Sequence, residues 1–418
     1  MYWVLYALLA IISLLLLFGV YIKLTMRFWS LQPVFHVYNL WYWLNPPGLI
    51  RSPLPKMNRY VNIVNIQMLN LATPDLTPTL PLLHSACAFI KDYYVQHPLT
   101  QYKPSVTNIL AYLSNSNVPA YLAVHQTPSA VNSTPTLNAV VSARPLNITR
   151  LCKGRISETF VTYYIDNLCV APGQRKQGLA PQMIQTMTYN LRHANKQIQT
   201  CMFKRERDLT AIVPLVTFKS DCYNITTEWL NRTDAVMPGG VTCIEIGVNQ
   251  LSLFNYFIQE NIKKFDWLVM PDLSNLSTLI KTENLFIYGL LQAGALIAIY
   301  VFRNTELFYL APQGAAPQQG APQRAAPQQD AALSDTKTIE CIATISACPA
   351  VTFAAGLRAA LRSIFARCPF GKMLLETTAD ATNLQVSLPP CQFSVPSAFY
   401  FYNYGCYTSA ANKVLVIY

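Results

Sequence analysis

IDNLCVAPGQRKQGLAPQMIQTMTYNLRHAN, residues 165–195, is the stretch on which the reading of the chain turns. An apolar, β-prone run over 160–170 leads into a loop holding Gly173, Gln174, Arg175, Lys176, Gln177 and Gly178. From about Ala180 the apolar residues recur with a helical period. Strand, glycine-containing turn and helix in that order make an anion site from backbone alone. The orphan N–H groups of the first helical turn converge, and the helix dipole adds positive potential. Gly178 lets the main chain come close to a phosphate, and Arg175 and Lys176 add charge. Taken alone, the pattern also describes an ordinary β–α connection.

The spacing Arg175-x-x-Gly178-x-Ala180 resembles the acyl-CoA pyrophosphate loop of the GNAT acyltransferases. The longer string, IDNLCV, a basic loop and then LAPQMIQ, is similar to the corresponding block of eukaryotic N-myristoyltransferases, which are tandem GNAT proteins. A second block, FWSLQPV at 28–34, resembles the FWxTQPV signature of that family, and FYFYNY at 399–404 resembles its YYLYNW. The resemblance covers most of residues 27–418. It implies an α/β fold of two tandem GNAT-like repeats.

Composition bounds the partners. Hydrophobic residues make up 52% of the 418 and charged ones 12%, and the mean hydropathy is +0.23, which is low in charge for a soluble protein and suggests membrane association. Lys and Arg outnumber Asp and Glu by 31 to 20, a net charge of +11 that favours anionic partners such as phospholipid or CoA phosphates. No basic motif interleaved with aromatics and no zinc-finger spacing is present, so nucleic acid is not expected. The eleven cysteines are scattered singly without a CxxC, as buried free thiols of a reducing compartment would be. No Ser/His/Asp, Cys/His or metal-ligand grouping stands out, and no metal is expected.

Residues 2–22 form an uncharged, mostly apolar run long enough to cross a lipid bilayer as a helix. The basic n-region and small-x-small site of a signal peptide are missing, so residues 1–24 read as a permanent anchor. Lys23, Arg27, Arg51, Lys56 and Arg59 all precede the first acidic residue, Asp75. By the positive-inside rule the amino terminus lies outside and the body in the cytosol. In the juxtamembrane segment 25–56, Phe28, Trp29, Trp41, Tyr42 and Trp43 suit an interfacial aromatic belt.

Residues 57–249 are expected to form the first repeat and 250–418 the second. In the first, 82–94 and 105–114 look helical, and 120–124 and 137–143 look like neighbouring strands. In the second, 252–264 looks helical and 267–270 a strand. Residues 284–302 approach membrane-spanning length but read better as two buried strands turning at Gln292-Ala293-Gly294. Residues 311–335 repeat APQG, APQQG, APQR and APQQD and are expected to be a disordered insertion. A strand over 338–346, a helix over 353–368 and a final apolar strand from Lys413 to the last residue complete the pattern.

The resemblance implies roles for particular residues. Phe28, Trp29 and Gln32 would lie over CoA, and Val170, Arg175, Lys176, Gln177, Gly178, Leu179 and Ala180 would bind it. The backbone amides of Asn167 and Leu168 would form an oxyanion hole, and the terminal carboxylate of Tyr418 would be the catalytic base. A free α-carboxyl has a pKa of about 3.5, and burial makes it more basic. Two departures fall on the acceptor side. Tyr94-Val95-Gln96-His97-Pro98 lacks the family's acidic cluster, and Lys204-Arg205-Glu206-Arg207-Asp208-Leu209-Thr210 replaces its Thr-Ala-Gly stretch. The activity expected is membrane-anchored, acyl-CoA-dependent N-acylation, with myristoyl-CoA as donor and a protein's amino-terminal glycine as acceptor. An inactive relative serving as a structural or acyl-CoA-binding membrane component is the alternative. A divergent, viral version of the family would account for an anchor that its cellular members lack.

Overall fold

The first element, α1 (Tyr2–Thr25), is long and apolar enough to cross a membrane, with a mean hydropathy of 2.6 over its best window. Ile22 is its one buried residue, and Lys23 Nζ lies 5.9 Å from the Tyr38 ring centroid. The structure is a computed structural model, and it describes residues 2–72, 80–95, 99–128, 135–207, 210–232, 237–310 and 336–418. The proposed insertion 311–335 lies outside the described residues, as do 96–98 and 208–209 of the two divergent stretches.

The first part of the body contains α2 (Leu40–Leu44), β1 (Gly48–Leu49), β2 (Ile66–Asn70), α3 (Leu80–Tyr93), β3 (Thr100–Tyr102), α4 (Val106–Ala111), β4 (Tyr121–Thr127), β5 (Thr136–Cys152) and β6 (Arg155–Val170). It continues with α5 (Leu179–Ala194), β7 (Cys201–Glu206), β8 (Val216–Asn224), α6 (Thr227–Leu230) and β9 (Val241–Glu245). The second part has α7 (Leu251–Asn261), β10 (Trp267–Met270), α8 (Leu273–Lys281), β11 (Leu285–Gln292), β12 (Ala295–Tyr309) and β13 (Thr336–Ser346). Then come α9 (Ala350–Arg367), β14 (Lys372–Glu376), β15 (Cys391–Tyr402), β16 (Tyr404–Gly405) and β17 (Val414–Val416).

Local chemistry sets several of these boundaries. Ser105 Oγ accepts from Asn108 N at 3.0 Å and Asn108 Oδ1 from Ser105 N at 3.0 Å, a reciprocal cap that starts α4. Asp272 starts α8 by accepting from Asn275 N at 2.8 Å. Residues 284–302 do form two buried strands. Gln292 pairs with Ala295, and Ala293 and Gly294 between them have φ of +48° and +82°, the paired positive values that a two-residue hairpin requires.

Fifteen of the described strands join one sheet, whose main path runs β17-β10-β5-β6-β7-β15-β8-β14-β13-β12-β11-β9. The chain's end is threaded into it: β17 lies parallel to β10, with Leu415 opposite Leu268, and Ile417 N donates to Val269 O at 2.8 Å. Helices cover both faces, as a largely apolar sheet demands. α5 packs on Tyr163, Tyr400 and their neighbours, α9 on Phe286, Tyr300 and Met373, and α7 and α8 on the apolar cluster that holds β10 and β17.

Candidate functional site

The β5–β6 ladder breaks register twice, between Arg150 and Leu151 near its turn and again between Val140 and Ser142. Val140 faces Cys169 and Ser142 faces Asp166, so Asn167 and Leu168 together oppose the single residue Val141. Two residues against one is a β-bulge, a device that re-aims backbone groups. Asn167 takes φ of +53°, a left-handed value that Asn tolerates better than most side chains. Its Nδ2 donates to Ser142 Oγ at 2.9 Å, and Ser142 Oγ donates to Asp166 O at 3.1 Å, which pins the bulge. Along its other edge β6 runs parallel to β7, but only Tyr163–Cys201 and Tyr164–Met202 pair. Past them the two strands part, and the wedge holds a cavity of about 570 Å³ lined by residues 164–167 on one side and 204–207 on the other.

The floor of this wedge is charged. Lys204 Nζ lies 2.7 Å from Glu376 Oε1, 3.3 Å from Glu340 Oε1 and 3.2 Å from Glu206 Oε1, while Arg303 pairs with the second oxygen of Glu340. The Tyr418 hydroxyl donates to Glu376 Oε1 at 2.6 Å and accepts from Lys204 Nζ at 3.0 Å. Burial alone would lower the pKa of Lys204, but Glu340 and Glu376 outweigh it and hold the ammonium well above its ordinary value. Burial would likewise raise Glu340, yet Arg303 and Lys204 hold it down at about 2. At Glu376 burial prevails over the pull of Lys204, and the carboxyl is pushed up to about 7. Above the floor, Asp166 Oδ1 accepts from the Tyr94 hydroxyl at 2.5 Å and from the Asn167 backbone N–H at 2.8 Å.

Of the residues singled out by sequence, Asn167 and Tyr418 line this cavity together. Leu168, Val170, Trp29 and Leu179 meet in the apolar cluster beneath α5. Trp29 stacks on Phe203 at 5.7 Å and Phe203 on Tyr400 at 5.3 Å, while Phe28 meets Tyr60 edge-on at 5.3 Å. Phe28 and Trp29 therefore face the body rather than a lipid surface, because these rings give them partners; Trp41 and Trp43 stay exposed, at 69% and 43%. Gln32 is buried, accepts from the Tyr402 hydroxyl at 2.7 Å and lines a second cavity of about 670 Å³ beside Arg51, Arg59 and Arg192.

The basic loop is exposed and lines neither cavity. It folds on itself: Arg175 Nε donates to Val170 O at 3.1 Å and Gln177 Nε2 to Gly173 O at 2.9 Å, while Lys176 sits at φ +62°. Gly178 precedes α5 with φ of +80°, and a Cβ there would meet nothing within 4 Å. Glycine is thus required by backbone conformation and not by crowding. Leu179 and Ala180 begin the helix.

Sequence reasoning missed Arg144, Arg303, Glu340 and Glu376. Arg144, Arg303 and Glu340 are each a single charge set in an apolar run, as in AVVSARPLNI, AIYVFRNT and TIECIAT, and Glu376 follows the apolar run of KMLLET. That pattern could have marked them, because an ionised side chain rarely enters such a strand unpaired.

No family model matches the sequence, and no curated protein matches it. Solved structures do match the fold. Saccharomyces cerevisiae N-myristoyltransferase with bound myristoyl-CoA aligns at a TM-score of 0.64 and 12% identity over 94% of this chain and 99% of that one. A second structure of the yeast enzyme with myristoyl-CoA gives 0.65 and 13%, covering 94% and 93%. A third, with myristoyl-CoA and inhibitors, gives 0.63 and 12%, covering 94% and 96%. The chain has the N-myristoyltransferase fold, and the α/β class expected from the sequence, behind an apolar amino-terminal helix, is borne out.

Proposed function

We propose that the chain is an acyl-CoA-dependent N-acyltransferase that moves a long-chain acyl group, of the myristoyl class, from CoA to the amino-terminal glycine of a protein. One observation carries the reading: the bulge at Asn167 and Leu168 opens on a cavity that Tyr418 also lines, on a fold whose solved examples hold myristoyl-CoA. The acceptor amine attacks the thioester carbonyl carbon, the C–S bond breaks, the amide forms, and CoA leaves as its thiol once the amine's proton has been passed on. The amides of Asn167 and Leu168 are the donors for the developing oxyanion. On this reading the α-carboxylate of Tyr418, a fully buried residue, is the base that takes the proton. Phe28, Trp29 and Gln32 cover CoA, and the segment from Val170 through Arg175, Lys176, Gln177, Gly178 and Leu179 to Ala180 binds its phosphates at the start of α5. Residues 2–22 anchor the body to a membrane, with the amino terminus outside and the body in the cytosol, a reading supported by Lys23, Arg27, Arg51, Lys56 and Arg59.

A second reading, an acyl-CoA-binding membrane component without transfer, is favoured by Asp166. Its carboxylate already engages the Asn167 amide and puts negative charge where the oxyanion would form. The full chain in detergent, given myristoyl-CoA or acetyl-CoA and a glycine-terminated peptide, separates the two. Tight binding of the long-chain thioester with thiol release, abolished by residues added after Tyr418, is the outcome expected of the transferase. Binding without release for any amine supports the second reading, and failure to bind either thioester overturns both.

A further inference from the structure

We propose that Arg144 holds a carboxylate of the acyl acceptor, so that the cavity selects an amine carrying an acid close by. The inference rests on the acyltransferase reading for the word acceptor, but the anion site itself stands on Arg144. This residue is 2% exposed, lies on β5 opposite Tyr164 of β6 and lines the cavity. Its guanidinium sits 4.8 Å from the Tyr112 ring centroid and 5.1 Å from that of Tyr164. Nη1 is buried with no hydrogen-bond partner, and among the described residues no carboxylate forms an ion pair with the side chain. Buried charges are paired almost without exception, because desolvation is otherwise uncompensated. The cations of the wedge floor already have ion-pair partners, Lys204 in Glu340 and Glu376 and the part-buried Arg303 in Glu340. Among the described residues, Arg144 is therefore the cation of the wedge that is buried without an ion pair.

Its surroundings fit a carboxylate. The guanidinium lies over the faces of two tyrosine rings, which occupy none of its N–H groups, and its N–H fork matches two carboxylate oxygens. The Tyr112 hydroxyl is also buried without a partner and is a second donor beside the guanidinium. Ser142 faces Asp166 and Arg144 faces Tyr164, so Arg144 and Asp166 are diagonal neighbours on one face of the β5–β6 pair. One cation and one anion side by side complement an acceptor that bears both an amine and a carboxylate. Two sources supply that chemistry: a free amino acid, or a peptide whose amino-terminal glycine is followed by an acidic side chain.

Calorimetric titration of the full chain in detergent with glycine, glycinamide, glycyl-glutamate amide and glycyl-glutamine amide tests the site. At least one acid is expected to bind tenfold or more tighter than its neutral partner. Preference for glycine assigns the main-chain carboxylate, and preference for the glutamate peptide assigns the side chain. In Arg144→Met the ratio should fall to about one with myristoyl-CoA affinity unchanged, while Arg144→Lys keeps part of it. The Met variant should melt no lower than the parent, since it removes an unpaired buried charge; if it fails to fold, Tyr112→Phe should still reduce the ratio. Equal binding of acid and amide, no binding of any probe, or an equal loss of myristoyl-CoA affinity in Arg144→Met overturns the proposal. Acid-selective binding without acyl transfer would leave the anion site and remove the transferase. Equal transfer to both peptides and to both glycine probes would do the reverse.

Discussion

Glu376 reaches both Lys204 and Tyr418 through one oxygen and leaves the other without a partner. Its carboxyl, pushed from 4.5 to about 7 by burial, holds a proton more tightly folded than unfolded. Stability from such a group is fully present below the unfolded pKa and is lost as pH rises through the folded one. Relative to Glu376→Gln, the parent is therefore expected to lose stability between pH 5 and 8, on the order of 3 kcal/mol in all, since a tenfold change in proton affinity corresponds to ~1.4 kcal/mol. Denaturant unfolding of both proteins across that range checks it; a difference that stays flat would mean Glu376 is ionised throughout. Glu340, held near 2, has the opposite sign, and its contribution is lost only as pH falls below the ordinary carboxylate range. At this scale the sequence was half legible. Asn167 and Tyr418 could be named from flanking strings, but nothing in the β-prone run 160–170 announces a bulge, which arises from register with β5. Arg144, Arg303 and Glu340 stand out as lone charges in apolar strands, yet their convergence depends on a sheet order that no local pattern encodes.

Among the elements, α9 carries a glycine at the point of closest approach to the sheet. A Cβ on Gly356 would lie 2.5 Å from the Tyr300 hydroxyl and 2.6 Å from Leu290 Cδ1. Gly→Ala inside a helix ordinarily gains up to about 1 kcal/mol, whereas overpacking a core costs about 1–3 kcal/mol. Gly356→Ala is thus expected to destabilise by about 1–2 kcal/mol, read as a lower melting temperature; a higher one would show that α9 can move off the sheet. The loop before α5 makes a prediction of the other kind, since Arg175 and Lys176 are exposed and the one side-chain bond between them and the described residues is that of Arg175 to the nearby Val170 carbonyl. Arg175→Glu with Lys176→Glu should leave the stability within about 0.5 kcal/mol of the parent while weakening CoA binding tenfold or more. Unchanged CoA affinity would move the phosphates elsewhere on the fold. Elements were the most legible scale, because periodicity and turn chemistry are local. The β11–β12 hairpin followed from its turn residues even though its 284–302 run has nearly the length of a membrane span.

For the molecule as a whole, the proposed membrane attachment through α1 raises the main physical question. α1 contributes only Ile22 to the buried interior, so removing residues 2–21 leaves the core intact. What remains is not evenly polar. On α2, the helix of five residues that follows α1 in the chain, Leu40, Trp41, Trp43 and Leu44 are 61%, 69%, 43% and 77% exposed. The helix is held in place: Trp43 Nε1 donates to Val37 O at 3.0 Å, the Tyr407 hydroxyl donates to Trp43 O at 2.9 Å, and Phe35 packs on both Tyr42 and Trp43. Exposed tryptophan held in place is what a bilayer interface favours, and each buried Å² of apolar surface there is worth roughly 25 cal/mol. The chain without residues 2–21 is therefore expected to retain weak affinity for lipid vesicles. That affinity should fall about tenfold in Trp41→Ser with Trp43→Ser and survive raised salt, because it is apolar in origin. Vesicle sedimentation decides the matter. If the shortened chain stays in solution with the tryptophans present, α2 faces water or another protein, and the proposed attachment rests on α1 alone. If it sediments, the cavity between β6 and β7 works at a fixed height above the lipid, within reach of acceptors that are themselves held at that surface.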